Sequence, residues 1–197
     1  MNIQQIAVTE VATLTVQIDE VSPPVTRRVE VPLNMRLDDL HFVLQIAIGW
    51  QNCHPFEFSI GDRVWGLVDR EATENPLPAD RVTLADLMPL SRIFKYSYVY
   101  GDDWQHTVTI ESVSKPALGV NYPRLTDGEG RCPPADIGGP SGYEAYIQAL
   151  GDPEHFHHEA MVDWEEAEFD PTDASLPSLQ SNIANLAKYI GRRKLVA

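Results

Sequence analysis

A chain of 197 residues with 43% apolar side chains can build one core of ordinary size, and its formal net charge of −14 argues against contact with a nucleic-acid backbone, which needs clustered Lys and Arg. Arg192-Arg193-Lys194 is the one obvious basic cluster and is too short to change that balance. No apolar run reaches the roughly 18 residues that span a bilayer, no secretory signal precedes the first strand, and Cys53 and Cys132 lie far apart, so the expectation is a cytoplasmic protein with free thiols.

Residues 1–9 read as a loosely held leader. Ala12, Leu14, Val16 and Ile18 then alternate with Thr13, Thr15, Gln17 and Asp19, the period of a half-buried strand. Ser22-Pro23-Pro24 forces a turn, and Val29 and Val31 set against Arg28 and Glu30 give a second strand that Pro32 ends. From 37 to 48 the period becomes helical, with Leu37, Leu40, Leu44 and Ile48 on one stripe. Asp38 and Asp39 stand at the positive end of the helix dipole and Gly49 at its stop.

Residues 56–60 predict a third strand, which Gly61-Asp62 turns into Arg63–Trp65, and the polar segment 69–81 predicts a surface loop. Thr83-Leu84-Ala85-Asp86 has the spacing of a capping box and predicts one short helical turn. The richest stretch comes next. Phe94, Tyr96, Tyr98 and Tyr100 recur at every second position, Gly101-Asp102-Asp103 makes a turn, and Trp104, His106, Val108 and Ile110 alternate with polar residues. This is a hairpin in which residues 93–100 and 104–111 run antiparallel, with two carboxylates, an indole and an imidazole gathered at its bend.

Residues 115–139 carry many Gly and Pro and little periodicity, which reads as a long ordered loop. Three helices are expected after it. Ser141 with Glu144 caps the first, Asp152-Pro153 begins the second with Phe156, Ala160 and Trp164 on one face, and the third carries Leu179, Ile183, Leu186 and Ile190 and stops at Gly191. The order hairpin, helix, strand, helical turn, strand predicts an α+β fold with a mixed β-sheet in β-grasp-like order, extended by the strand after Gly101 and followed by C-terminal helices. It is expected to be one domain over 1–197, its core about residues 10–173 and the helix at 175–191 packed on it.

Several segments resemble one family in the same order over roughly residues 12–173: Ile18–Arg28, Leu37-Asp38-Asp39-Leu40-His41 through Gly49-Trp50, Tyr100–His106, Tyr122-Pro123-Arg124, Cys132-Pro133-Pro134-Ala135-Asp136, Gly138-Gly139-Pro140 and Gly142-Tyr143. They are similar to the plasmid pRi open-reading-frame-three-like proteins, also labelled insertion-element passenger TnpR-like proteins. The resemblance implies an α+β domain associated with mobile DNA and implies no established activity. Two positions depart from the family pattern. His54-Pro55-Phe56 stands where His-x-His is common, and Ile137 stands where a cysteine is common, which removes two metal ligands.

Candidate catalytic residues are His106, Asp103 and Cys132, and candidate metal ligands are His54, Asp102 and His106, with a divalent metal the only cofactor in view. The structural alternative makes the two Asp residues caps of turn amides and His106 a hydrogen-bonded core histidine beside Trp104 and Val108. Cys132, in a Pro-Gly loop, is either a thiolate near a helix start or a small buried apolar group. His155, His157, His158 and Glu159 suggest a metal tract or a solvated helix face, and His41 a residue at the core edge. Arg27, Arg28 and Arg124 either read an anion or pair internally, Asp102 and Asp103 being the available carboxylates. The leading functional reading is a non-enzymatic protein-interaction module, monomeric or a small homo-oligomer. The alternatives are a metal-dependent or thiol hydrolase using His54, Asp102, Asp103, His106 and Cys132, and a DNA-handling accessory of a mobile element.

Overall fold

The computed structural model describes residues 8–68, 75–98, 101–164 and 169–193, with the side chains of Trp164 and of 190–193 outside that description. Most of the N-terminal leader, residues 69–74 of the polar loop, Val99 and Tyr100 of the hairpin, and Lys194 therefore lie outside the described residues, as do the apolar side chains of Trp164 and Ile190.

The expected hairpin forms from β1 (Val11–Ile18) and β2 (Thr26–Pro32), and α1 (Leu37–Ile48) follows with Gly49 at φ 120° closing it. Only a residue without Cβ takes that backbone conformation easily. Then come β3 (Phe56–Ile60), β4 (Arg63–Gly66), the two-residue β5 (Leu77–Pro78), a 3-10 turn at Ala79–Arg81, and α2 (Leu84–Leu87). The Asp86 carboxylate accepts from the Thr83 amide at 2.9 Å and its hydroxyl at 2.7 Å, the reciprocal cap that the spacing implies. The chain continues as β6 (Ile93–Tyr98), β7 (Trp104–Ser114), β8 (Arg124–Glu129), α3 (Gly139–Gly151), α4 (His158–Trp164) and α5 (Leu176–Arg193).

Among the described residues the eight strands form one mixed sheet in the order β5-β4-β3-β6-β7-β1-β2-β8. Every pairing is antiparallel except β4 with β5. The hairpin at Gly101 pairs Ile93 through Tyr98 with Thr109 through Trp104. The second strand of this hairpin, β7, stands between β6 and β1 and pairs with both.

Register explains the core. Trp65, Phe58, Tyr96, His106 and Ile18 are successive cross-strand partners, and so are Phe94, Val108, Val16 and Arg27. Directly opposed residues share a face of a sheet. All nine are buried, so this face is the core face, and Arg27 lies on it at 1% exposure.

Four local readings change. A strand, β8, occupies part of the expected loop 115–139; with Leu125 its one apolar side chain, it carries no alternation to read. Residues 77–81 are ordered as β5 and a 3-10 turn. α3 starts at Gly139 with Pro140 in its first turn, so Ser141 lies inside the helix. α4 starts at His158, because the Asp152 carboxylate accepts from the Glu154 amide at 3.0 Å and holds a non-helical turn, which leaves Phe156 92% exposed.

Candidate functional site

The site is built where the end of α1, the bend of the β6–β7 hairpin and the segment before α3 meet. Its floor is Arg27. The Nε of Arg27 donates to the Ala47 carbonyl at 2.7 Å, Nη1 to the carbonyls of Thr26 and Glu129 at 2.7 and 2.6 Å, and Nη2 to that of Ile48 at 3.2 Å. Two of these carbonyls belong to the last turn of α1, where orphan acceptors and the dipole favour a cation. One side chain thereby joins α1, β2 and β8. Burial lowers the Arg27 pKa from its usual value, and the nearby Cys132 acts in the opposite sense.

The wall is aromatic. Trp50, just past the Gly49 stop, stacks on Tyr98 at 5.2 Å, tilts against Trp104 at 5.7 Å and meets His106 edge-on at 5.2 Å. Its indole N–H donates to the Pro133 carbonyl at 3.2 Å, tying the wall to the Cys132-Pro133-Pro134 segment. The Tyr98 hydroxyl accepts from the amides of Cys53 at 2.8 Å and His54 at 3.2 Å, fixing the connection from α1 to β3 against the hairpin. At the rim the Asp102 carboxylate accepts from the Gly138 amide at 3.1 Å, so the hairpin bend clamps the entry to α3. Gly139 at φ 70° lets the Asp102 backbone come close; a Cβ there would collide with the Asp102 carbonyl.

Together these parts enclose a cavity of about 420 Å³ lined by Arg27, Trp50, Cys53, His54, Tyr98, Asp102, Trp104, Arg131, Cys132 and Asp136, among others. Of the catalytic and metal-ligand candidates read from the sequence, His54, Asp102 and Cys132 line it, as does Arg27 of the candidate anion readers. His106 and Asp103 do not. His106 is fully buried, its Nδ1–H donating to the Tyr96 carbonyl at 2.9 Å, while its Nε2 has no partner among the described residues. Asp103 accepts from the Gln105 side chain at 2.7 Å. The Cys132 thiol donates to the Pro133 carbonyl at 3.4 Å. Among the described residues no group of three or more His, Cys, Asp or Glu is placed to hold a metal ion.

The remaining candidates divide as follows. His41 is a full core residue, stacked on Phe56 at 3.7 Å. Gln45 donates to the Tyr96 hydroxyl at 2.7 Å, that hydroxyl donates to His41 Nδ1 at 2.8 Å, and His41 Nε2–H donates to Asn52, a chain that fixes the neutral tautomer. His155 accepts from the His157 amide at 3.1 Å, and His158 donates to the Ala149 carbonyl at 2.8 Å, so these two rings close turns. Arg28 pairs with Glu111 at 2.7 Å and Arg124 with Glu30 at 2.6 Å, rather than with Asp102 and Asp103. Sequence reasoning passed over Trp50, Arg131 and the role of Arg27. The last had a signal: Arg27, Val29 and Val31 alternate on one face of β2, and an arginine there must be buried.

Fold and site together define an α+β protein with an aromatic, arginine-floored cavity, and among its described residues no helix is long and apolar enough to cross a membrane. The family model of the plasmid pRiA4b ORF-3-like proteins matches residues 10–177, and the chain belongs to that family. It is 40% identical over 189 residues to the uncharacterized protein y4hQ of Sinorhizobium fredii (strain NBRC 101917 / NGR234), covering 94% of this chain and 97% of that one. It is similar to the crystal structure of the protein of unknown function MM3350 from Methanosarcina mazei Go1, with a TM-score of 0.75 and 31% identity over 84% of this chain and 94% of that one.

Burial pushes both His41 and His106 down to about 4 from the ordinary 6.5. A depressed histidine pKa means that the unfolded chain binds more protons between those values. The stabilisation is therefore complete above about pH 6.5 and is lost as pH falls toward about 4. Urea unfolding is expected to give a lower stability at pH 5 than at pH 7; equal stability at the two values would contradict this assignment.

Proposed function

We propose that the protein is a non-enzymatic protein-interaction module and that its recognition site is the cavity at the hairpin bend. The observation that supports this is the company the cavity keeps. The rings of Trp50, Tyr98, Trp104 and Phe169 and a buried guanidinium face one space of about 420 Å³, in the size range of ligand pockets and built from residue types that dominate binding energy. The wall is held by the hydrogen bonds of Trp50, Tyr98 and Asp102, so a partner group would meet a preformed surface. On this reading residues 10–173 act as one cytoplasmic domain with α5 packed on it, the β1-β2-α1-β3 order is β-grasp-like, and recognition takes place at the cavity rather than at a sheet edge. The DNA-accessory and insertion-element readings draw support from the plasmid-derived family name alone, and the net charge of −14 opposes them.

Ala135 lines the cavity at an exposed position, so Ala135→Trp blocks the opening without disturbing the core. Affinity isolation from the source cell is expected to recover a partner with the wild-type chain and to lose it with Ala135→Trp of unchanged melting temperature. Recovery of the same proteins by both chains counts against the cavity.

One observation favours a second reading, a thiol hydrolase: Cys132, His54 and Asp102 line the same cavity. A thiolate nucleophile needs a base within hydrogen-bond reach. In a Cys53→Ser background, the rate of Cys132 alkylation by iodoacetamide at neutral pH is expected to be the same with and without His54→Ala. Alkylation that His54→Ala slows severalfold would put the hydrolase first.

A further inference from the structure

We infer that the group received by the cavity is a single carboxylate carried on an apolar body, with Arg27 as its counter-charge. The inference rests on the cavity being the recognition site. Arg27 is 1% exposed, held on the core face by its pairing with Val16, and it lines the cavity. A guanidinium has five N–H donors, and four of those of Arg27 are taken by backbone carbonyls of Thr26, Ala47, Ile48 and Glu129. One Nη2 N–H is left.

The carbonyls are dipoles. The end of α1 contributes about half a negative charge, which balances the cation in part. Among the described residues no carboxylate pairs with Arg27, the ion pairs there being those of Arg28, Arg36, Arg81, Lys95 and Arg124. A buried cation with incomplete compensation draws an anion when one can reach it. The rest of the lining limits which anion fits. Arg131, Asp102 and Asp136 also line the cavity, so two carboxylates offset the second guanidinium and a ligand with several negative charges would meet a lining with little net positive charge. A lone carboxylate needs contact only at the Arg27 end, and Trp50, Tyr98 and Trp104 supply an apolar wall for whatever carries it. The free C-terminus of a polypeptide has this chemistry, and so does a small aromatic acid. The interaction-module reading selects the C-terminus.

Arg27 also holds three elements together, so the test varies the charge of the ligand instead of the residue. The full chain is titrated by calorimetry with acetyl-Ala-Ala-Phe as the free acid, with the same peptide as its C-terminal amide, and with phenylacetate. The free acid is expected to bind saturably and the amide about tenfold or more weakly. An amide that binds as tightly as the acid overturns the carboxylate assignment and leaves the cavity as the site. Phenylacetate binding without peptide binding upholds the carboxylate and makes the source a small acid. Binding of the free acid that persists in Ala135→Trp overturns the cavity itself, and absence of binding by all three overturns both.

Discussion

The structure turns on one buried guanidinium. Arg27 sits where the alternation of β2 sends a side chain into the core, and a cation there is tolerated only if acceptors surround it. The acceptors come from three places: the last turn of α1, β2 itself and the end of β8. Satisfying one side chain therefore dictates where α1 ends against the sheet and why a strand as polar as β8 pairs at its edge. Gly49 at φ 120° turns the chain immediately after those acceptors and delivers Trp50 to the aromatic wall. The cavity is thus a consequence of how the core surrounds the deeply buried Arg27 guanidinium with acceptors.

Two positions that the family pattern marks for metal ligands do packing work in this chain. Phe56 stacks face to face on His41, in a ring system that continues through Tyr96 to His106, and Ile137 is partly buried against the core. The imidazoles of His41 and His106 are hydrogen-bonded neutral core groups. Their polar atoms are placed by β6, whose Tyr96 offers its hydroxyl to one ring and its carbonyl to the other. The hairpin that holds the densest chemistry in the sequence contributes mainly architecture, and among its described residues Tyr98, Asp102 and Trp104 line the site.

Much of the fold was legible in the residues because it follows from strong periodicity. The stripe Leu37, Leu40, Leu44 and Ile48 with its Gly49 stop yields α1 over the expected span, and the alternations flanking Gly101 yield the β6–β7 pair. Strand order was not legible, since nothing local says that β7 lies between β6 and β1. β8 was hidden because Arg124, Thr126, Asp127 and Glu129 surround a single Leu125; it is a strand by virtue of pairing with β2. The site was half legible. Chemistry-bearing residues drew attention to His54, Asp102 and Cys132, while Trp50, Arg131 and Arg27 matter through convergence of distant segments, which spacing does not reveal.

Amide hydrogen exchange of Arg27→Met compared with the wild-type chain tests the central claim most directly. If this guanidinium joins the end of α1 to β2 and β8, amides of residues 45–49 and of Leu125–Glu129 should lose protection together, while the β3–β4 hairpin keeps its own. Unchanged exchange in both segments would contradict the account.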